Sequence, residues 1–132
     1  MSVLKEKSFQ FALRVVKFSK YLVEEKREFV ISKQILKSGT SIGANIREAQ
    51  NAQSKADFIH KLSISQKECD ETIYWLELLY QSEYITEVEY NSTCRDANEL
   101  LKMLKSAIIT SKNKVGEEEI VYNGEIIISD EL

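Results

Sequence analysis

The sequence contains no proline and only four glycines in 132 residues. Both residue types mark turns, so a loop-rich sandwich or barrel fits this composition poorly, whereas long helices tolerate it. At 43% hydrophobic and 30% charged, the chain can bury a core and keep a well-solvated surface. Its length is typical of one domain. The composition therefore predicts a single, mainly helical domain.

Histidine, cysteine and long apolar runs are also scarce. His60 is the only histidine, so a histidine-rich metal site is excluded, and we expect an ordinary surface residue there. Cys69 and Cys94 lack paired metal-type spacing and are predicted to be reduced packing residues. No stretch approaches the ~20 apolar residues of a membrane span, and the charged N-terminus lacks a secretory signal pattern. We expect a cytoplasmic protein without a metal or cofactor.

Apolar residues recur at helical spacing in four segments. The first helix has an inner stripe that Leu13, Val16 and Val23 are predicted to broaden toward the core. Gly39 and Gly43 interrupt the second segment, but the apolar spacing continues through them, which indicates close packing of a neighbouring helix rather than a loop. With short connections, the pattern predicts an antiparallel up-down four-helix bundle. The predicted helices cover about residues 4–26, 30–52, 55–81 and 87–112.

Two short motifs mark the starts of the later helices. Ser54 is followed three residues later by Asp57, and Thr86 is followed at the same spacing by Glu89. A hydroxyl residue with an acid three positions later is typical of a capping box, in which each side chain bonds the backbone of the other residue. The third and fourth helices are therefore predicted to begin at these motifs.

Residues 115–132 differ from the rest of the chain in charge and pattern. Residues 1–114 hold all 18 Lys and Arg residues and 15 of the 21 acidic residues, so this body carries about +3 and the remainder is acidic. In EIVYNGEIIISDEL, Asn-Gly joins two β-branched runs, which is typical of a β-hairpin. We expect either an acidic hairpin that docks on the bundle or on a neighbouring subunit, or a mobile acidic tail.

The segment SGTSIGANIREAQNAQSKADFIHKLSISQKECDETIYWLELL resembles the four helix bundle protein family encoded within intervening sequences of bacterial 23S rRNA genes, sometimes labelled ribosomal proteins. The resemblance covers about residues 8–112. The family often has Ala-Glu-Gly after Asn-Ile, where this chain has Arg47, Glu48 and Ala49, so any role of that glycine does not carry over. The residues that carry the resemblance are Ser41, Asn45, Glu48, Ser54, Asp57 and Phe58.

The resemblance implies a four-helix bundle that assembles into a ring-like homopentamer. It also implies kinship with the accessory protein of diversity-generating retroelements, which resembles a partner of nucleic acids and of a reverse transcriptase. The acidic tail is not part of the family pattern.

Ser41, Asn45 and Glu48 share one helix face because they are spaced by four and three residues. Such a trio either fixes helix register through a buried hydrogen-bond network or contacts a ligand. We favour register, because partly buried polar groups need partners within the fold. The chain has neither a histidine near Ser41 nor the Glu-x-x-His motif of di-iron bundles, so no catalytic residue is predicted.

Basic residues on the first and fourth helices are the candidate nucleic-acid ligands. On each helix they fall within about 100° of arc beside the apolar face, so the two stripes form one basic surface if these helices are neighbours. The alternative is that they are ordinary solvated side chains lying over the edge of the core. The candidates are Lys7, Arg14, Lys17, Arg95, Lys102, Lys105 and Lys112.

Tyr74, Trp75, Leu78 and Tyr80 make the end of the third helix apolar on more than one side. One core cannot bury every face of a helix, and subunit interfaces favour Trp and Tyr, so these residues either pack in the core or form an oligomer interface.

The predicted function is a non-enzymatic homo-oligomer, pentameric by resemblance, that binds RNA or DNA. The alternative is an adaptor that recruits a nucleic-acid-processing protein without binding nucleic acid itself.

Overall fold

The computed structural model describes residues 1–123, with side chains through Asn113. The helices pack in a closed square in which each contacts the next along the chain and α4 returns to α1, so that α1 and α3 occupy opposite corners. This arrangement confirms the predicted four-helix bundle. The helices are α1 Ser2–Glu24, α2 Ile31–Gln50, α3 Lys55–Gln81 and α4 Glu87–Asn123.

The core runs along the inside of the square and confirms the inner stripe of α1, where Phe11, Val15 and Leu22 are buried. Of the three residues predicted to broaden this stripe, Val23 is half-buried. The prediction is wrong for Leu13 and Val16, which are 43% and 41% exposed. α1 contacts only α2 and α4. Residues that lie well over 90° around the helix from the core stripe therefore have no neighbour to cover them.

Gly39 and Gly43 lie where α1 and α2 approach closely. A Cβ atom on Gly39 would lie 2.7 Å from both Cγ atoms of Val15, and one on Gly43 would lie 3.3 Å from Ser8 Oγ. Neither glycine has a positive φ, so the requirement is for space rather than for an unusual backbone. The predicted close packing is confirmed.

The predicted capping box at α4 is present, whereas the one at α3 is only half formed, because its carboxylate bonds the amide before Ser54. Ser54 Oγ accepts a hydrogen bond from the Asp57 amide at 3.0 Å, and the Asp57 carboxylate accepts one from the Gln53 amide at 3.3 Å. At α4 the exchange is reciprocal: the Glu89 amide donates to Thr86 Oγ1 at 3.1 Å and the Thr86 amide donates to the Glu89 carboxylate at 2.8 Å. The Thr86 backbone bond lowers the pKa of Glu89, because it stabilises the charged carboxylate.

A third cap, at α2, was not predicted. Glu28 is 6% exposed, and its carboxylate accepts bonds from the amides of Val30, Ile31 and Ser32 at 3.2, 2.9 and 2.6 Å. These are amides of the first turn, which have no partner within the helix. Arg27 adopts a φ of 55°, which reverses the chain just before this cap. The sequence signal was hidden because Glu is not among the usual N-cap residues.

The end of α4 corrects the predicted boundary at residue 112 and the predicted hairpin. α4 continues to Asn123, so the first arm of the hairpin, residues 119–122, is helical. Nothing in 112–123 stops a helix, since Gly116 alone costs only about 1 kcal/mol, and a β-branched run favours a strand only where it can pair. No strand occurs within residues 1–123. The second arm lies outside the described residues.

Candidate functional site

The seam between α1 and α4 is the most loosely packed side of the bundle. Three surface cavities follow it, with α1 forming one wall and α4 the other. The predicted basic residues lie along this seam and on the outer face of α4. The two helices are neighbours, as the hypothesis of one basic surface requires.

Within the seam, two of the predicted cations are paired with acids of α4. Lys7 Nζ donates to Glu99 Oε1 at 3.0 Å. Arg14 donates to Asp96 Oδ2 at 2.6 Å and to Ser92 Oγ at 2.7 Å. These contacts compensate both positive charges and link α1 to α4. Lys7 and Arg14 therefore act first as cross-links of the fold, although both remain partly exposed.

The remaining predicted cations are exposed, and none has an ion pair with any described side chain. Lys17 lies beside a cavity of about 280 Å³ near the start of α4. The other four follow one outward face of α4, and the residues between them on that face, Asn98 and Ile109, carry no charge. At 1.5 Å per residue this face is about 26 Å long. Its cations are Arg95, Lys102, Lys105 and Lys112.

The predicted register network of the α2 trio is wrong. Ser41 Oγ donates to the Lys37 carbonyl at 2.6 Å and Asn45 Nδ2 donates to the Ser41 carbonyl at 2.8 Å, so both bonds stay within α2. Only Glu48 crosses to α3, where its carboxylate accepts a bond from Lys61 Nζ at 2.9 Å. That bond raises the pKa of Lys61. The physical reason is position: the trio lies at the outer edge of the α2–α3 contact rather than inside it.

Buried small hydroxyls supply the polar contacts between helices instead. Ser65 Oγ donates to the Ile42 carbonyl at 2.8 Å, and Thr72 Oγ1 donates to Ser38 Oγ at 2.9 Å. All these side chains are fully buried. Ser65 and Thr72 occupy positions of α3 where the helical repeat otherwise has apolar residues. A hydroxyl residue at such a position was the signal in the sequence for a buried hydrogen bond.

The two cysteines are free and buried, which confirms their prediction as packing residues. Cys69 Sγ donates to the Ala97 carbonyl at 3.2 Å and so joins α3 to α4. Burial raises the pKa of Cys69 to about 12, so the group stays a neutral thiol at physiological pH.

The four predicted interface residues divide between surface and core. Tyr74 and Leu78 are 57% and 36% exposed on the outer face of α3. Trp75 is half-buried against the core and donates to Glu71 Oε2 at 3.1 Å. Tyr80 also packs on the core. Tyr74 and Leu78 thus form an exposed pair, which we call the α3 patch.

A second exposed apolar surface was missed in the sequence. Phe9, Leu13 and Val16 are 44%, 43% and 41% exposed and share one outward face of α1, which we call the α1 stripe. Arg47 of α2 lies over the Phe9 ring, 5.2 Å from its centre. The sequence does carry a signal for this surface. Phe9, Leu13 and Val16 are spaced by four and three residues, as residues on one helix face are, and they fall on a different side of α1 from the inner stripe.

Of the remaining predicted residues, Phe58 packs against the core and lines the largest cavity of the seam. His60 is exposed. Among the residues that the structure describes, no cluster of three potential metal ligands occurs. No helix within residues 1–123 is both long and apolar enough to cross a membrane.

Comparison with known proteins adds a family to this geometry. The 23S rRNA-intervening sequence protein family matches residues 2–106. This chain belongs to that family. The match covers α1, α2, α3 and α4 up to Ser106, so the extended end of α4 and the acidic tail lie beyond it.

A solved structure from the same group is closely similar. It is the crystal structure of a protein of unknown function from the S23 ribosomal protein family of Bacteroides thetaiotaomicron. The two sequences are 60% identical over 80% of this chain and 97% of that chain, with a TM-score of 0.79. No curated protein matches this chain. The resemblance noted in the α2–α3 segment is therefore confirmed, and the function of the family is not established by it.

Proposed function

We propose that this member of the 23S rRNA-intervening sequence protein family is a binding protein rather than an enzyme, and that it binds RNA or DNA through the outer face of α4. One observation carries the proposal. Arg95, Lys102, Lys105 and Lys112 are exposed along about 26 Å of a rigid helix, without an acid between them on that face and without an ion pair to a described side chain. Such a face neutralises phosphates without reading bases.

The ion pairs in the seam bear on which of the predicted cations would contact phosphate. Because Lys7 and Arg14 already bond to acids of α4, any phosphate contact they made would have to displace Glu99 or Asp96. The four cations on the outer face of α4 meet no such competition from a described side chain. We therefore assign the main contribution to α4 and a minor one to α1.

Binding should depend steeply on salt. Four phosphate contacts on a duplex release about 3.6 counterions, so raising salt from about 50 to 200 mM should weaken binding by about 100-fold for each engaged face. We would measure this by fluorescence anisotropy with a labelled 30-base-pair duplex and a labelled single-stranded RNA of random sequence. Affinity that does not change with salt, or no binding at the lower salt, would contradict the proposal.

We further propose that the protein is a homo-oligomer, a ring of five copies as the resemblance implies. The α1 stripe and the α3 patch lie on helices at opposite corners of the bundle. If the stripe of one copy packs on the patch of the next, each copy has two partners, and a heterologous contact of this kind generates a ring if the rotation from each copy to the next closes. A ring would also multiply the number of basic α4 faces.

A glutamate in either apolar surface should break the ring. We expect Leu13→Glu and Leu78→Glu each to lower the particle mass toward the 15.2 kDa of a single subunit by light scattering, because a charge in an apolar contact is not compensated. Mixing the two variants should restore one contact and give a two-chain particle, since each retains the surface that the other has lost. Val88→Glu, at a site that is 77% exposed and outside both surfaces, is the matched control and should keep the wild-type mass.

Two results would contradict this assembly. If both variants keep the wild-type mass, the α1 stripe and the α3 patch are not contacts of the assembly. Two variants that dissociate but do not pair when mixed would indicate a contact of each surface with itself.

The exposed apolar surfaces also support a second candidate, an adaptor that recruits a nucleic-acid-processing protein. In that case the α1 stripe or the α3 patch binds the partner protein, and the cations of α4 are only solvated. Reversing the charge of the α4 face would then leave the complex with the partner protein unchanged. Under the first proposal the same change abolishes binding of nucleic acid.

A further inference from the structure

The largest of the three seam cavities lies at the end where α1 begins and has a volume of about 660 Å³; we call it the α1–α4 end cavity. Its wall is mainly apolar, and the exposed Lys102 brings positive charge to it. α4 continues beyond this cavity, past Ser111, with no other described helix beside it, because α1 starts at Ser2 and α3 starts at Lys55 at the same level. The residues that matter here are Leu4, Phe58, Met103, Ala107, Lys55 and Lys102.

The chain beyond α4 has the matching chemistry. Residues 124–132 read GEIIISDEL, with three consecutive isoleucines, three acids and no Lys or Arg. Isoleucine side chains can be buried against an apolar wall, and the acids are attracted to the neighbouring Lys102. This segment lies outside residues 2–106, which the family matches, so its sequence is not part of the family pattern.

Reach decides which copy can supply the segment. Ala107, in the middle of the cavity wall, precedes the end of α4 at Asn123 by roughly 24 Å along the helix at 1.5 Å per residue. Ile126, Ile127 and Ile128 follow Asn123 by three to five residues and can return at most about 18 Å when fully extended. The isoleucines of one chain therefore fall short of the apolar wall of the same chain.

We infer that the apolar–acidic segment 124–132 of one copy docks in the α1–α4 end cavity of a second copy. The overhanging end of α4 carries the isoleucines away from their own bundle and presents them to another. Ile126, Ile127 and Ile128 fill the apolar wall, and Asp130 and Glu131 lie toward Lys102. This contact is separate from the α1 stripe and the α3 patch, and it holds whether or not the protein binds nucleic acid.

Disulfide trapping between copies tests this inference on the full chain. Ile127→Cys protein is mixed with an equal amount of Ala107→Cys protein and oxidised gently, and the peptide that joins the two introduced cysteines is identified by mass spectrometry. We expect this pair to form about 10-fold faster than a pair of Ile127→Cys with Val88→Cys, because docking raises the local concentration of the two thiols. Val88 is 77% exposed at the other end of α4, so chance collision favours the control. The native thiols are buried.

Two further variants keep the test decisive. In the double variant Ile127→Cys/Ala107→Cys, we expect bonds between chains, and closure within a single chain would overturn the assignment to a second copy. In the mixed pair, Lys102→Glu in the Ala107→Cys chain should slow trapping several-fold through repulsion of Asp130 and Glu131. Trapping no faster than the Val88→Cys control would overturn the inference, and neither result bears on the salt dependence of nucleic-acid binding.

Discussion

Replacing Lys102 and Lys105 together with glutamate is expected to lower affinity for a nucleic-acid duplex by about 100-fold at low salt. The double variant removes two of four phosphate contacts on the α4 face and puts two negative charges at the same points. Both side chains are exposed, so the change should leave the fold intact. Fluorescence anisotropy in about 50 mM salt measures the affinity, and far-ultraviolet circular dichroism checks the helix content.

The control must change the net charge equally at another place. Lys33→Glu/Lys37→Glu alters two exposed lysines on α2, away from the α4 face and outside both exposed apolar surfaces. We expect it to weaken binding by less than about 3-fold, through the long-range field only. Equal losses in the two double variants would show that total charge alone matters, and the assignment of the α4 face would then be wrong.

Gly39→Val is expected to lower the free energy of unfolding by about 3 kcal/mol. A Cβ atom at this position would lie 2.7 Å from two atoms of Val15, which is fully buried and has a stiff branched side chain. Overpacking of this kind typically costs about 1–3 kcal/mol, and valine adds two methyl groups beyond the Cβ. Urea unfolding followed by circular dichroism measures the change, with the slope against urea checked for constancy.

Gly43 provides the matched control on the same helix. Gly43→Ala would place its Cβ 3.3 Å from Ser8 Oγ, a far milder contact. Alanine favours the helix by about 1 kcal/mol over glycine, so this variant should be near neutral or slightly more stable. In Gly39→Ala the same gain is outweighed by the Val15 contact, and the variant should be destabilised. A Gly39→Val protein as stable as wild type would contradict the close approach of α1 and α2.

Much of the fold follows from local pattern. The inner stripes, the helix starts at Ser54 and Thr86 and the continuity of α2 through Gly39 depend on neighbours three or four residues away, and all were predicted. The hairpin was not a safe prediction, because a β-branched run becomes a strand only beside a partner strand. α4 instead continues through its first arm to Asn123.

The candidate surfaces were predictable only in part. Helical spacing identified the cations of α4 and the apolar excess of α3. It did not separate Leu13 from the core residues of α1, because the width of a buried stripe depends on how many neighbours a helix has, and α1 has two. It also placed Ser41 and Asn45 inside the bundle, where the structure has Ser65 and Thr72.

The sequence by itself determined that this chain forms helices, where most of them begin, which residues line the core and that an acidic segment follows a basic body. These are consequences of propensity and of periodicity along one helix. The tertiary structure alone decided which charges are available, because compensation requires a partner from another helix: Lys7 meets Glu99 and Arg14 meets Asp96 across separations of 92 and 82 residues. It also decided that the apolar excess lies at opposite corners of the bundle and that α4 extends past its neighbours, since both depend on how the helices are arranged side by side.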